Sequence, residues 1–576
     1  MVGPAALDIA RTVVFLALNA LAIPFGLSPG TWPRAKASRC SREFLGTVLP
    51  PDATLENVAA VREGGSYGEG EANVAYPVDP TDLPALCAVT VRVSSSSTSS
   101  FRFGLFLPDR WNSRFLVVGN GGFAGGINWI EIRAAGPRLG MASLSTDTGH
   151  NSTAIETAWA RDEPEKKTDW GWRAIHGSTV LGKALVRAYY APQRLTYSYY
   201  SGCSTGGRQG LKELQLFPDS FDGALIGAAA WWTSHLNPYI ARASLYNFPT
   251  TDPKHLSTAD MNLLAGEITR QCDLADGVQD GIVSSPDRCA PDLTVLLCSD
   301  EEEGAENPAA SAKARCLSRA QLQTVQNVYR DWTLRPDNEL LHPGLTFSSE
   351  SEWPLLLGGT EPVPYGVGYV GDFLFDDDDD DDDDGPPWDW RTPFNESVVR
   401  YADEHDPGDA TADDYAALWA VGERGGKVVL YHGLADGLVP TKGTGLYWNR
   451  TLDALGGPAG VEDFMRLLLV PGMGHCYGTA VDAPWNFGAA FHASRMGPAV
   501  RSVPGFEDAR HDVLMALVDW VERGRPVDSI VATTWHDPTD SSSGVKRQRP
   551  ICAWPRQALW DGRGDVDDAA SWTCSS

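Results

Sequence analysis

The pentapeptide Gly202-Cys203-Ser204-Thr205-Gly206 constrains this chain more than any other feature. It follows a β-prone run at 195–200 and opens a helical pattern over 205–216. A G-x-S-x-G pattern between strand and helix demands a sharp turn that pushes the serine out at the sheet edge. Small residues at Gly202 and Gly206 let the neighbouring backbone close up. The helix that follows, through Gly207, Arg208, Gln209 and Gly210, presents its N-terminal amides to developing negative charge. The alternative for the same residues is a glycine-rich turn with no chemistry.

The flanking sequence supports an α/β sheet around that turn. Residues 101–107 (FRFGLFL), 114–118 (RFLVV), 427–431 (KVVLY) and 466–470 (RLLLV) read as strands, and 175–190 and 513–521 as helices. Strands alternating with helices imply a largely parallel sheet. The segment 232–390 breaks this rhythm. It is irregular, carries four of the ten cysteines and a helix candidate at 319–332, and reads as a lid inserted over the core. The core is then assigned to 28–231 and 391–576.

Charge excludes some partners. The 576 residues carry 47 Lys+Arg against 75 Asp+Glu, a net −28. Nucleic acid and anionic membrane surfaces both need clustered cations, so neither is expected as a partner. Asp376 to Asp384 supplies nine of those charges in one unbroken run. Without glycine turns such a run forms no defined cage and reads as a solvated lid loop.

The first 27 residues read as a secretory signal peptide: Arg11 precedes the apolar stretch 12–27. A buried helix or an uncleaved anchor is the alternative. No later stretch has 18 uninterrupted apolar residues. Ten cysteines, an even number, then suggest disulfides and an extracellular location. Cys272/Cys289, Cys298/Cys316 and Cys552/Cys574 would each close a short loop. Three Asn-x-Ser/Thr sequons, at Asn151, Asn395 and Asn449, fit a secreted glycoprotein.

A serine nucleophile needs a base, and the base needs an orienting carboxylate. In this type of fold both follow the serine in the order Ser, Asp, His. Asp436 (in YHGLADGLVP) follows the 427–431 strand, and His475 (in PGMGHC) follows the 466–470 strand. All three candidates thus sit beyond C-terminal strand ends, where open α/β sheets place their sites. His150 and His432 compete for the base, and Asp453 and Asp463 for the acid. Cys203 precedes Ser204 and Cys476 follows His475. If bonded to each other, these cysteines would staple the nucleophile and base loops side by side. The backbone of Thr205 is one expected oxyanion donor. The second is placed in the loop after the 114–118 strand, near Gly121 or Gly122. In the lid, Asp273, Asp276 and Asp280 fall in the glycine-punctuated segment CDLADGVQDGI, whose hard oxygens suit calcium, although the spacing is not that of an EF-hand.

The motifs GCSTGGRQG, HGLADGLVP, PGMGHC, STDTGH and GNGGFAGG together resemble the fungal tannase and feruloyl esterase family of secreted serine esterases. The resemblance covers nearly the whole chain after the leader. It implies an α/β-hydrolase fold with a large inserted lid, and the triad Ser204, Asp436 and His475. It also implies five disulfides: Cys203–Cys476, Cys40–Cys87, Cys272–Cys289, Cys298–Cys316 and Cys552–Cys574. A structural calcium ion (Ca2+) would be held by Asp273, Asp276 and Asp280 with the carbonyls of Val278 and Ile282. The implied substrate is a phenolic, feruloyl-type ester of plant cell-wall polysaccharide. Thr205 after the serine and the 39-residue step from Asp436 to His475 look more like the feruloyl branch than the tannase branch, which takes galloyl esters. A non-catalytic phenolic- or carbohydrate-binding protein on the same fold is the reading of another class. The aspartate run is unlike the family.

Overall fold

The computed structural model describes residues 38–575 apart from 300–315, 335, 337, 376–387, 392–393, 496–507 and 539. The expected signal peptide and the nine-aspartate run both lie outside the described residues. Nine strands form the main sheet. In chain order they are β1 (Ala53–Val61), β2 (Leu86–Ser94), β3 (Ser100–Pro108), β4 (Arg114–Val118), β5 (Ala142–Thr146), β6 (Tyr197–Cys203) and β7 (Gly223–Gly227), then, after the lid, β10 (Lys427–Gly433) and β11 (Met465–Val470). Between them the lid holds a short ribbon, β8 (Trp332–Leu334) with β9 (Glu339–His342). The sheet order is β1-β2-β3-β5-β4-β6-β7-β10-β11. From β5 to β11 every pairing is parallel, and β1, β2 and β3 add an antiparallel meander at one edge. This is the expected α/β-hydrolase architecture.

Burial explains the strand patterns. Every residue of β5 and β7 is buried, as are the last four of β4. Strands covered on both faces read as continuous apolar runs. One face packs Phe103, Phe115, Leu144 and Leu185 into a core; the other packs Leu116, Tyr199, Leu225, Val429 and Leu468. Helix α1 (Ala174–Tyr190) covers the first face, and α2 (Thr205–Leu216) leads directly from β6.

The glycines of GCSTGGRQG set how close α2 lies to the sheet. A Cβ at Gly207 would stand 2.5 Å from the Gly227 carbonyl oxygen. At Gly210 it would stand 2.3 Å from the Tyr200 ring. No side chain fits between this helix and the strands beneath it, so the helix start is fixed against β6.

The insertion lies between β7 and β10, residues 228–426, and so contains the expected lid. It has its own apolar core, including Leu236 and Tyr239 on α3 (Thr233–Asn247), Leu264, Val325 and Trp353. That core extends past 390 to Val399 and takes in Val439 from the acid loop. The helix expected over 319–332 ends at Tyr329, and Trp332 starts β8 instead. Beyond β11 the chain adds α4 (Val513–Arg523), an antiparallel ribbon β12 (Ser529–Asp537) and β13 (Asp540–Cys552), and a second ribbon β14 (Gln557–Trp560) and β15 (Trp572–Ser575). Sequence patterning did not indicate these ribbons.

Five disulfides join Cys40–Cys87, Cys203–Cys476, Cys272–Cys289, Cys298–Cys316 and Cys552–Cys574, the set that the resemblance implies. Among the described residues no helix is long and apolar enough to cross a membrane. The Gly210→Ala variant should be destabilised by about 1–3 kcal/mol through overpacking, although alanine is the better helix former by about 1 kcal/mol. Denaturant unfolding measures this. A gain in stability would show that the close approach is not tight.

Candidate active site

Ser204 sits between β6 and α2 with φ +63° and ψ −126°. A non-glycine residue at positive φ is strained, and strain at a nucleophile turn is held by its surroundings. Here the Ser204 amide donates to the Gly227 carbonyl (3.0 Å), and its carbonyl accepts from the Ala230 amide (3.1 Å). The Tyr200 hydroxyl donates to the Gly206 carbonyl at 2.6 Å. A Cβ at Gly202 would lie 2.6 Å from that same oxygen, so the turn closes only around glycine.

The three residues picked from spacing meet. Ser204 Oγ is 3.0 Å from His475 Nε2, and His475 Nδ1 is 2.7 Å from Asp436 Oδ2. Asp436 is fully buried. An ionised carboxylate only accepts, so His475 Nδ1 donates to it, and Nε2 is left to accept the serine proton. Asp436 Oδ1 accepts from the Leu438 and Val439 amides at 2.9 and 2.8 Å. Burial opposes its charge, but the His475 and His432 imidazoles hold its carboxyl below the usual carboxylate range. Burial pulls the His475 imidazole down, yet the charge of Asp436 outweighs it and leaves the ring above its ordinary value.

The competing residues have other places. His432, fully buried, donates from Nε2 to Asp436 Oδ2 (2.9 Å) and accepts at Nδ1 from the Thr444 hydroxyl (2.7 Å). It therefore braces the acid. His150 stacks on Trp159 with ring centroids 3.6 Å apart and donates from Nε2 to the Phe123 carbonyl at 2.9 Å. Burial pushes it down to about 4, so it is a neutral support for the glycine-rich loop. Asp453 is on the helix Thr441–Ala454, and Asp463 precedes β11.

One contact was not foreseen from sequence. Glu352, half-buried in the lid, accepts through Oε2 from the backbone amides of His475 (2.7 Å) and Gly437 (3.1 Å). One carboxylate thus clamps the acid loop to the base loop. Burial and then the nearby charge of Asp436 push its carboxyl above the ordinary value. Nothing in the local pattern SSESEW singles it out, because its partners are backbone groups over 80 residues away. The Cys203–Cys476 bond, with Cα atoms 6.0 Å apart, ties the base loop to the nucleophile strand.

A cavity of about 40 Å³ opens beside Ser204. Its wall includes Gly122 and Thr205, the two expected oxyanion positions, and the rings of Phe123, Trp170 and Tyr365. Leu236 and Ile240 reach it from the lid. The loop bearing Gly122 is held on α2, because Gln209 Oε1 accepts the Asn120 amide at 3.0 Å. Gly122 has φ +55°, and a Cβ there would meet the Ala154 carbonyl oxygen at 2.5 Å. The arrangement offers a paired hydroxyl nucleophile beside an aromatic slot.

The expected calcium loop folds compactly, with one oxygen of each carboxylate turned to loop amides. Asp273 Oδ1 accepts from the amides of Asp280 and Gly281. Asp276 Oδ1 accepts from Val278, and Asp280 Oδ1 from Ile282. Asp280 Oδ2 lies 2.7 Å from Arg549. As placed here, no three acidic, His or Cys side chains among the described residues are already gathered around one point. Asp276 Oδ2 is buried with no hydrogen-bond partner.

The chain is similar to known proteins over most of its length. The family model described as tannase and feruloyl esterase matches residues 87–352 and 391–575. The gap between the two matches contains the aspartate run. A probable feruloyl esterase B-2 of Aspergillus fumigatus is 31% identical over 517 residues, covering 88% of this chain and 91% of the relative. The crystal structure of feruloyl esterase B from Aspergillus oryzae superposes with a TM-score of 0.81 at 27% identity, covering 94% of this chain and all of that one. A tannin acyl hydrolase from Aspergillus niger shares the fold, with a TM-score of 0.68 at 21% identity over 94% of this chain and 95% of its own. The chain belongs to the tannase and feruloyl esterase family of carboxylic ester hydrolases.

Proposed function

We propose that this chain is a secreted serine esterase that cleaves feruloyl-type phenolic esters of plant cell-wall polysaccharide. The observation that carries the reading is the hydrogen-bonded chain Ser204–His475–Asp436 at an aromatic cavity. Ser204 attacks the ester carbonyl as His475 Nε2 takes its proton. Asp436 keeps the ring in that tautomer and stabilises the imidazolium. The amides of Thr205 and Gly122 receive the developing oxyanion. His475 then protonates the leaving alkoxide, which is the sugar hydroxyl. Water, deprotonated by the same ring, releases the phenolic acid. The feruloyl preference is supported by the names of the relatives and by a slot of ring faces suited to a flat acyl group.

We further propose that the 273–282 loop takes a structural calcium ion. The buried, unpartnered Asp276 Oδ2 supports this. Asp273, Asp276 and Asp280 with the carbonyls of Val278 and Ile282 would hold it. Its part is to fix the lid loop, not to enter the reaction.

Asp436→Asn should lower kcat roughly 10,000-fold, as loss of the orienting acid does in other triads. Removing the charge that raises His475 should also move the acid limb of the residual kcat/KM profile to lower pH, because burial alone depresses the ring. An unmoved limb would deny Asp436 this role. In a panel of methyl ferulate, methyl caffeate and methyl gallate, ferulate should be turned over fastest. Gallate as best substrate would favour tannase action, and no fluorophosphonate labelling of folded protein at Ser204 would leave only a binding protein. Exhaustive chelation should lower the melting temperature by several degrees, with recovery on adding calcium. An unchanged transition sinks the metal proposal.

A further inference from the structure

A second cavity, much larger than the one at Ser204, lies elsewhere in the molecule. A cavity of about 450 Å³ lies between the lid, the helix Thr441–Ala454 and the C-terminal ribbons. It shares no wall residue with the cavity beside Ser204. Its volume lies within the usual range for small-molecule sites.

The wall chemistry selects a ligand class. Trp448, Trp554, Trp572 and Phe347 give it aromatic faces. Lys442, Arg288, Arg549 and Arg556 line it with Asp276 and Asp287, and Lys442, Arg549 and Arg556 also pair with Asp331, Asp280 and Asp528 outside the wall. Asp276 is moreover assigned above to calcium, and Asp287 is exposed. Arg549 is only 2% exposed and stacks on Trp572 at 4.0 Å. Its Nη2 donates to Asp280 and to the Val566 carbonyl, but Nε and Nη1 have no partner. Buried guanidinium donors left unpaired are costly, and a carboxylate is their natural acceptor.

We infer that this cavity is a second, non-catalytic site for an aromatic carboxylate, the class of acid released by the proposed reaction. The choice of ligand rests on that reading, but the test does not require turnover. The wall also carries Leu434, two residues before Asp436, and Pro471, four before His475. Occupancy would therefore bear on the loops that hold the acid and the base.

Gly445 provides the means of closing the site. It lines the cavity from within a helix, and a Cβ there meets nothing within 4 Å. Ferulate is titrated calorimetrically into Ser204→Ala protein with and without Gly445→Phe. The expected result is a saturable event weakened at least tenfold by Gly445→Phe. Arg556→Gln should weaken ferulate more than the uncharged methyl ferulate, and Trp554→Ala replaces Gly445→Phe if the latter fails to fold. Identical isotherms overturn the proposal. So does equal affinity for the neutral ester, or ferulate binding that emerges only after glycan removal at Asn449, which would make the cavity the seat of that glycan. Failure of the esterase reading would instead appear as absent turnover in the parent chain.

Discussion

The buried charge on Asp436 is the interaction on which the site depends. A carboxylate fully removed from water persists as an anion only where donors replace the lost hydration. Four do so here: two backbone amides from its own loop and the imidazoles of His432 and His475. The amides fix the loop beyond β10, and His432 fixes the strand end from which that loop departs. His475 can satisfy the fourth position only if the loop beyond β11 lies alongside. Unpairing a buried charge of this kind costs about 3–5 kcal/mol, so the anion itself holds the base in register. The order of β6, β7, β10 and β11 then brings the pair to Ser204.

The lid is part of this arrangement and not merely a cover. Glu352 descends from it to bind one amide in each of the two loops. Gly474 is required for that approach, since a Cβ there would fall 1.9 Å from Glu352 Oε1. Leu236 and Ile240 meanwhile close the slot beside the serine. One inserted segment thus shapes the cavity beside Ser204 and braces the loops of Asp436 and His475.

Much of this was legible in the chain. Strands covered on both faces leave unbroken apolar runs, so β4, β10 and β11 were placed from RFLVV, KVVLY and RLLLV. The nucleophile helix was placed because its glycines and its serine belong to one turn. What sequence did not reveal depends on distant partners. The C-terminal ribbons alternate weakly, with exposed and half-buried residues along β13. The 319–332 helix was drawn too long because Trp332 suits either periodicity until it packs beside Phe394. Glu352 had no local signature because its partners are backbone amides.

The bond between Cys203 and Cys476 bridges 273 residues of chain, including the entire lid. Both half-cystines are immediate neighbours of Ser204 and His475, so the thiol state of the surroundings bears directly on the candidate site. Under a cytosolic glutathione poise the two sulfurs would remain thiols, and the base loop would rely on Asp436 and Glu352 alone. Oxidation would then be the last step of assembly, and these loops gain their full rigidity only where the surroundings are oxidising.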